Sequence, residues 1–250
     1  MKKVHISFLG LAVAVPFLIT QAVTPVTPLA GKIIALDAGH GSSESDTGAT
    51  NEINGIAITE ADLNVDVVTA LAVKLTEQGA HVVIAGRFPA RRDRVNDAAA
   101  KCAALDMDGV VGADNRKCDV LVSVHHNGNI EPTHDGTLTI YTQNSDKPLA
   151  KALYDSLLSL TNKPEGMLNG GYGMTVYKNL VSAITEAYYI TNDCEAELYL
   201  YSKGQLTDIN QSCKNNGYTL ENRIDREVGL QVEGLSSYFS SQTGGKGGRK

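Results

Sequence analysis

The chain has 250 residues, a formal charge of −6, 42% apolar residues and 20% charged residues. That is an ordinary globular composition, with room for one large domain or two small ones. No block of Lys or Arg lies within its body, which argues against nucleic acid as the main partner and leaves an anionic polymer open as a substrate.

The N-terminus reads as an export signal. Lys2 and Lys3 precede an apolar run from Phe8 to Ile19 that is too short for a comfortable membrane span. A signal peptide is expected over 1–22, with cleavage after Ala22 or as late as Ala30, and a linker over 23–31. An uncleaved anchor is the alternative. The first strand follows, where Ile33-Ile34-Ala35-Leu36 runs into Asp37-Ala38-Gly39-His40-Gly41. A short apolar run bounded by glycines reads as a buried strand, and in open α/β sheets ligands bind beyond the carboxyl ends of such strands. His40 is thereby presented at a sheet rim, as a metal ligand or as a plain surface histidine.

Ser42 to Thr59 reads as a long polar loop, long enough to be functional. Thr59 with Asp62 matches a capping box, and Glu60 and Asp62 suit the positive end of a helix dipole. Leu63, Val67, Leu71 and Leu75 then lie on one helical face, and Gly79 stops the helix. His81 to Ala85 is a second strand, giving a β-α-β unit with a right-handed crossover. Arg87 to Ala104 reads as a loop and a helix. Asp119 to Val124 is a strand ending in His125-His126-Asn127-Gly128, and Gly136 to Thr142 is another. Leu149, Leu153 and Leu157 mark a helix, Lys163 to Gly173 a glycine-rich loop over the sheet edge, and Leu180 to Tyr189 a last apolar run broken by Glu186. A helix from Glu221 to Phe239 closes the chain. Strands alternating with helices predict a single α/β domain over 32–241, a twisted, mostly parallel sheet with helices on both faces. A disordered basic tail is expected over 242–250.

The cysteines Cys102, Cys118, Cys194 and Cys213 are even in number, suit an exported protein and lack a Cys-x-x-Cys spacing. The local pairs Cys102–Cys118 and Cys194–Cys213 are favoured among three pairings, each closing a polar excursion.

His40, Glu60 and His125 come from separate elements that could converge on one sheet edge. Two imidazoles and a carboxylate are a common catalytic zinc set that keeps a position open for water. Glu186 would then serve as general base and later acid. A carboxylate at the end of an apolar run costs desolvation and needs a partner or a reaction. The bland readings are a helix-start acid for Glu60 and, for Glu186, an acid paired with Arg87 or Arg94. Asp37 reads as an acid orienting His40, Asn127 as a turn residue, and His134 as solvated. Asn169 and Tyr172 could line a groove.

Asp37-Ala38-Gly39-His40-Gly41 with Asp46-Thr47-Gly48-Ala49 resembles the opening motif of the zinc-dependent N-acetylmuramoyl-L-alanine amidases of type 3. Thr59-Glu60-Ala61-Asp62-Leu63-Asn64 is similar to that family's Glu-led helix. Gly86-Arg87 with Arg94, Ser123-Val124-His125-His126-Asn127, and Leu180 to Asn192 resemble its later motifs. The likeness runs from about Lys32 to Phe239. It implies one zinc ion held by His40, Glu60 and His125, with Glu186 as the catalytic acid/base. It also implies cleavage of the amide between N-acetylmuramic acid and L-alanine of the peptidoglycan stem peptide, and the export signal places such an enzyme outside the cytoplasm, secreted, extracellular or in the cell wall or periplasm. A monomer is expected, without a membrane span once the signal is removed, and a regulatory protein is left open. Asp37, Arg94 and Asn127 would support the site or bind substrate. A zinc peptidase acting within the stem peptide and a non-catalytic wall-binding protein are the alternatives. The chain departs from the family pattern at Ser42, in a longer stretch to Asp46, at Ala187-Tyr188, and at His126, where the family has a small residue. Strand alternation keeps His125 and His126 from both facing a metal easily, and the motif selects His125.

Overall fold

The computed structural model describes residues 27–107 and 115–244. The expected signal peptide, the first four residues of the linker, the centre of the first cysteine-bounded excursion and the last residues of the tail lie outside them.

Six strands form one sheet in the order β4-β1-β5-β8-β6-β7. These are β1 (Ile33–Ala38), β4 (His81–Ile84), β5 (Val120–Asn127), β6 (Thr137–Tyr141), β7 (Pro164–Asn169) and β8 (Ser182–Tyr189). The strands β4, β1, β5 and β8 run parallel, while β6 lies antiparallel to β8 and parallel to β7. Every residue of β1 is buried, as a strand covered on both faces requires.

The larger core packs one face of the sheet against α1 (Glu60–Glu77), α3 (Lys147–Leu157), α4 (Asp193–Ser202) and α6 (Arg223–Gly244). The expected face of α1 is the buried one: Leu63, Val67, Leu71 and Leu75 are all fully covered. Thr59 caps that helix, its Oγ1 accepting from the Asp62 amide at 3.1 Å. The smaller core lies under α2 (Arg91–Ala103) and contains Ile33, Ala35, Leu121 and Ile184. Helices thus cover both faces. Leu29, within the expected linker, is fully buried in the larger core.

Two expected loops contain strands. Ser42 to Thr59 holds the hairpin β2 (Thr50–Ile53) and β3 (Ile56–Thr59), turned at Asn54 (φ 53°) and Gly55 (φ 78°). Two successive left-handed residues make the turn whose twist suits a hairpin, and Asn-Gly is its strongest sequence signal. Lys163 to Gly173 contributes the edge strand β7, which has few β-branched residues and is exposed along most of its length. Its pairing comes from β6 rather than from local propensity. The second cysteine excursion folds as α4 and α5 (Gln211–Asn215).

Both favoured disulfides form, Cys102–Cys118 and Cys194–Cys213, with Cα atoms 5.4 Å apart in each. Cys102–Cys118 is buried within the smaller core, so it ties its excursion to that core instead of lying apart from it, while Cys213 packs with Leu198 and Ile209 in a separate small cluster. No helix of the described residues is long and apolar enough to cross a membrane.

Candidate metal centre

The ends of β1 and β5 and the start of α1 meet at one edge of the sheet. His40 follows β1 in a left-handed conformation, φ 62°, which only a well-determined surrounding holds in a non-glycine residue. His125 sits near the end of β5, at a shift in the β5–β8 register. Glu60 opens α1, where its charge meets the positive helix end. Its Oε1 lies 2.9 Å from His125 Nδ1 and its Oε2 lies 3.3 Å from His40 Nε2. One donor atom from each residue falls within 4.8 Å of the others. Among the described residues, this is the one group of three or more such side chains that could hold a metal ion.

The space around the donors is kept open by missing side chains. A Cβ on Gly39 would collide with the His125 ring, and one on Gly48 would collide with Glu60 Oε2. Two imidazoles and one carboxylate with room for a further ligand match the donor preference of zinc.

Two of the three donors, His40 and Glu60, are held from behind. His40 Nδ1 donates to Asp46 Oδ1 at 2.9 Å, which leaves Nε2 as the inward nitrogen. The His40 hydrogen bond and those from Ser42 hold Asp46 well below the usual carboxylate range. The Ala49 amide donates to Glu60 Oε2 at 2.9 Å. Burial raises the Glu60 carboxyl, but the His125 hydrogen bond and charge, the Ala49 amide and His40 outweigh it and bring it to about 2. Burial lowers the His125 ring, and the Glu60 hydrogen bond with the charges of Glu186, Glu60 and Asp37 carries it above its ordinary value.

Asp37 does not touch the His40 ring. It accepts from Ser123 Oγ at 2.6 Å and from Arg94 Nη1 at 3.1 Å. The buried Arg94 then donates to the His40 carbonyl at 2.7 Å and to the Ala38 carbonyl at 2.9 Å. Asp37 therefore acts on the backbone of the His40 turn through Arg94, and the residue that orients the ring is Asp46. Asn127 turns the chain, its Oδ1 accepting from the Gly128 amide at 2.9 Å. His134 is not merely solvated: it lies 2.9 Å from Glu165 and packs edge-on to Tyr189.

Glu186 is aligned with His125 on the neighbouring parallel strand. Neither arginine expected beside it is its partner: Arg94 is engaged by Asp37, and Arg87 donates to the His40 and Ala61 carbonyls at 3.2 Å each. Its Oε2 is buried without a hydrogen bond. Burial pushes the carboxyl up, Glu60 adds to this, and His125 opposes it, for a result of about 7. A cavity of about 230 Å³ opens beside the donors, lined in part by Asp37, His40, Asp46, Arg91, His125 and Met174.

An α/β domain with a histidine–carboxylate–histidine cluster beyond its parallel strands defines the class. Residues 34–215 match the family model described as N-acetylmuramoyl-L-alanine amidase, and the chain belongs to that family. It is 27% identical over 177 residues to the N-acetylmuramoyl-L-alanine amidase LytC of Bacillus subtilis, a match that covers 68% of this chain and 32% of that one. The chain thus spans about a third of that relative's length. The fold is shared with the catalytic domain of CwlV, an N-acetylmuramoyl-L-alanine amidase from Bacillus (Paenibacillus) polymyxa var. colistinus. That likeness has a TM-score of 0.62 and 20% identity, over 84% of this chain and 98% of the other. It is shared also with the CwlD amidase of Clostridioides difficile, solved with the GerS lipoprotein, at a TM-score of 0.59 and 19% identity over 84% and 100% of the two chains.

Proposed function

We propose that this chain is a peptidoglycan hydrolase, cutting the amide between the lactyl group of N-acetylmuramic acid and L-alanine of the stem peptide. His40, Glu60 and His125 would hold one zinc ion. Zinc in such a site supplies Lewis acidity toward a carbonyl oxygen and makes water acidic near neutral pH. The observation that carries the reading is Glu186: a carboxyl near pKa 7 with a buried, unpaired oxygen, aligned with His125 across two strands. A carboxyl poised there takes the proton from the attacking water and returns it to the departing nitrogen. The water oxygen bonds to the carbonyl carbon, the C–N bond breaks, and L-alanine leaves as a free amine. Arg94 and Asp37 fix the backbone that presents His40, and Asp46 fixes its ring.

Action outside the cytoplasm, at the cell wall, is part of the same reading. Its physical support is the pair of disulfides, which persist in oxidising compartments. The experiment is digestion of purified sacculi by the full chain, with mass spectrometry of the products and parallel samples of Glu186→Gln and of excess chelator. Intact stem peptides with a free L-alanine amine, absent from both controls, are expected. Cuts inside the peptides would replace the amidase reading with a peptidase one.

A further inference from the structure

His126, one residue beyond a proposed metal ligand, is fully buried and faces the other way. Its Nδ1 lies 2.7 Å from Asn64 Oδ1, and its Nε2 lies 2.9 Å from Glu227 Oε2. The Asn64 amide has a fixed orientation, because its Nδ2 donates to the Gly39 carbonyl at 3.0 Å and to Glu60 Oε1 at 3.4 Å. Asn64 Oδ1 is therefore an acceptor and His126 Nδ1 carries a proton. A second proton lies between Nε2 and Glu227. The far oxygen of Glu227 accepts from Gln231 Nε2 at 2.9 Å, and the Tyr188 ring packs edge-on to His126 at 4.6 Å.

Glu227 and His126 are both fully buried. Two apolar side chains would fill that space without the desolvation cost that ionisable groups carry there. What the polar pair adds is direction. The chain of hydrogen bonds starts on α6, outside the matched residues 34–215, and ends on Glu60 and on the carbonyl before His40. We infer that Glu227 and His126 form a buried positioning relay that holds Asn64, and through it Glu60 and the His40 turn, in metal-binding geometry. The inference rests on the reading of His40, Glu60 and His125 as a metal centre.

The test is zinc affinity of the full chain, by competition with a chromophoric chelator, alongside urea unfolding of the metal-free protein. Glu227→Gln keeps every bond of the relay: its oxygen stays on Gln231 and its amide donates to His126 Nε2. It should bind zinc within about threefold of the parent, whereas the double variant His126→Leu/Glu227→Leu should lose about 10- to 100-fold, the usual cost of losing an outer partner of a metal ligand. The double variant should still unfold cooperatively, since apolar replacement of a buried polar pair is often near neutral. Where it does not, Asn64→Leu cuts the same link and should show the same loss. A folded double variant, or Asn64→Leu, binding within about twofold of the parent would overturn the relay. So would an equal loss in Glu227→Gln, which would trace the effect to charge rather than position. A parent chain that takes up no zinc would overturn the metal-centre reading and the relay with it.

Discussion

The two sides of β5 are built differently. Toward β1 and α1, polar groups around the cluster are paired: His40 with Asp46, Glu60 with His125 and the Ala49 amide, Asp37 with Arg94 and Ser123. Toward β8, Glu186 keeps a buried oxygen with no partner. The same residue type is brought to about 2 on one side and to about 7 on the other. Environments that drive two carboxyls apart in this way assign them different work. The paired side suits a fixed anion that holds a cation, and the unpaired side suits a group that trades a proton.

Glu186→Gln should break the contrast most. Activity on sacculi is expected to fall about 10²- to 10⁴-fold, the usual range for a general acid–base group, with zinc content unchanged in metal analysis. Loss of zinc together with activity would move Glu186 to the holding side.

The same substitution should stabilise the metal-free protein at high pH. The folded carboxyl keeps its proton up to about pH 7, while the unfolded chain loses it near 4.5. The penalty is absent below 4.5, grows between the two values and is constant above 7. Chemical denaturation should therefore show Glu186→Gln more stable by about 3 kcal/mol at pH 8 and nearly unchanged at pH 4. A pH-independent difference would mean that the carboxyl is not held neutral by the fold.

On the paired side, Asp46→Ala should weaken zinc binding by about 10- to 100-fold in chelator competition, because the His40 ring loses its orienting partner. The smallest expected effect is in the hairpin that follows Asp46. Gly55→Ala meets no neighbouring atom but takes on a left-handed backbone, φ 78°, and should cost about 1 kcal/mol in denaturant unfolding.

Much of this arrangement is legible in the chain. The apolar run of β1, the Thr59 cap and the stripe on α1 each follow from local chemistry, and both disulfides follow from short separation. His40, Glu60, His125 and Glu186 lie on elements whose order in the sheet brings them to one edge. Other features do not follow from local sequence as directly, three of them around the site. The Asn54-Gly55 turn was a usable hairpin signal inside a stretch dominated by polar residues. The partnership of Asp46 with His40 depends on a left-handed turn that composition does not encode. The His126–Glu227 pair joins residues 101 positions apart, and only the departure of His126 from the family's small residue pointed to it.

X-ray absorption at the zinc edge of the purified chain reads the proposed donor set itself. One zinc is expected, with nitrogen and oxygen neighbours at about 2.0–2.2 Å and outer-ring scattering from two imidazoles that drops to one in His125→Ala or His40→Ala. A zinc with one imidazole or none in the parent chain, or a signal unchanged in both variants, would contradict that donor set.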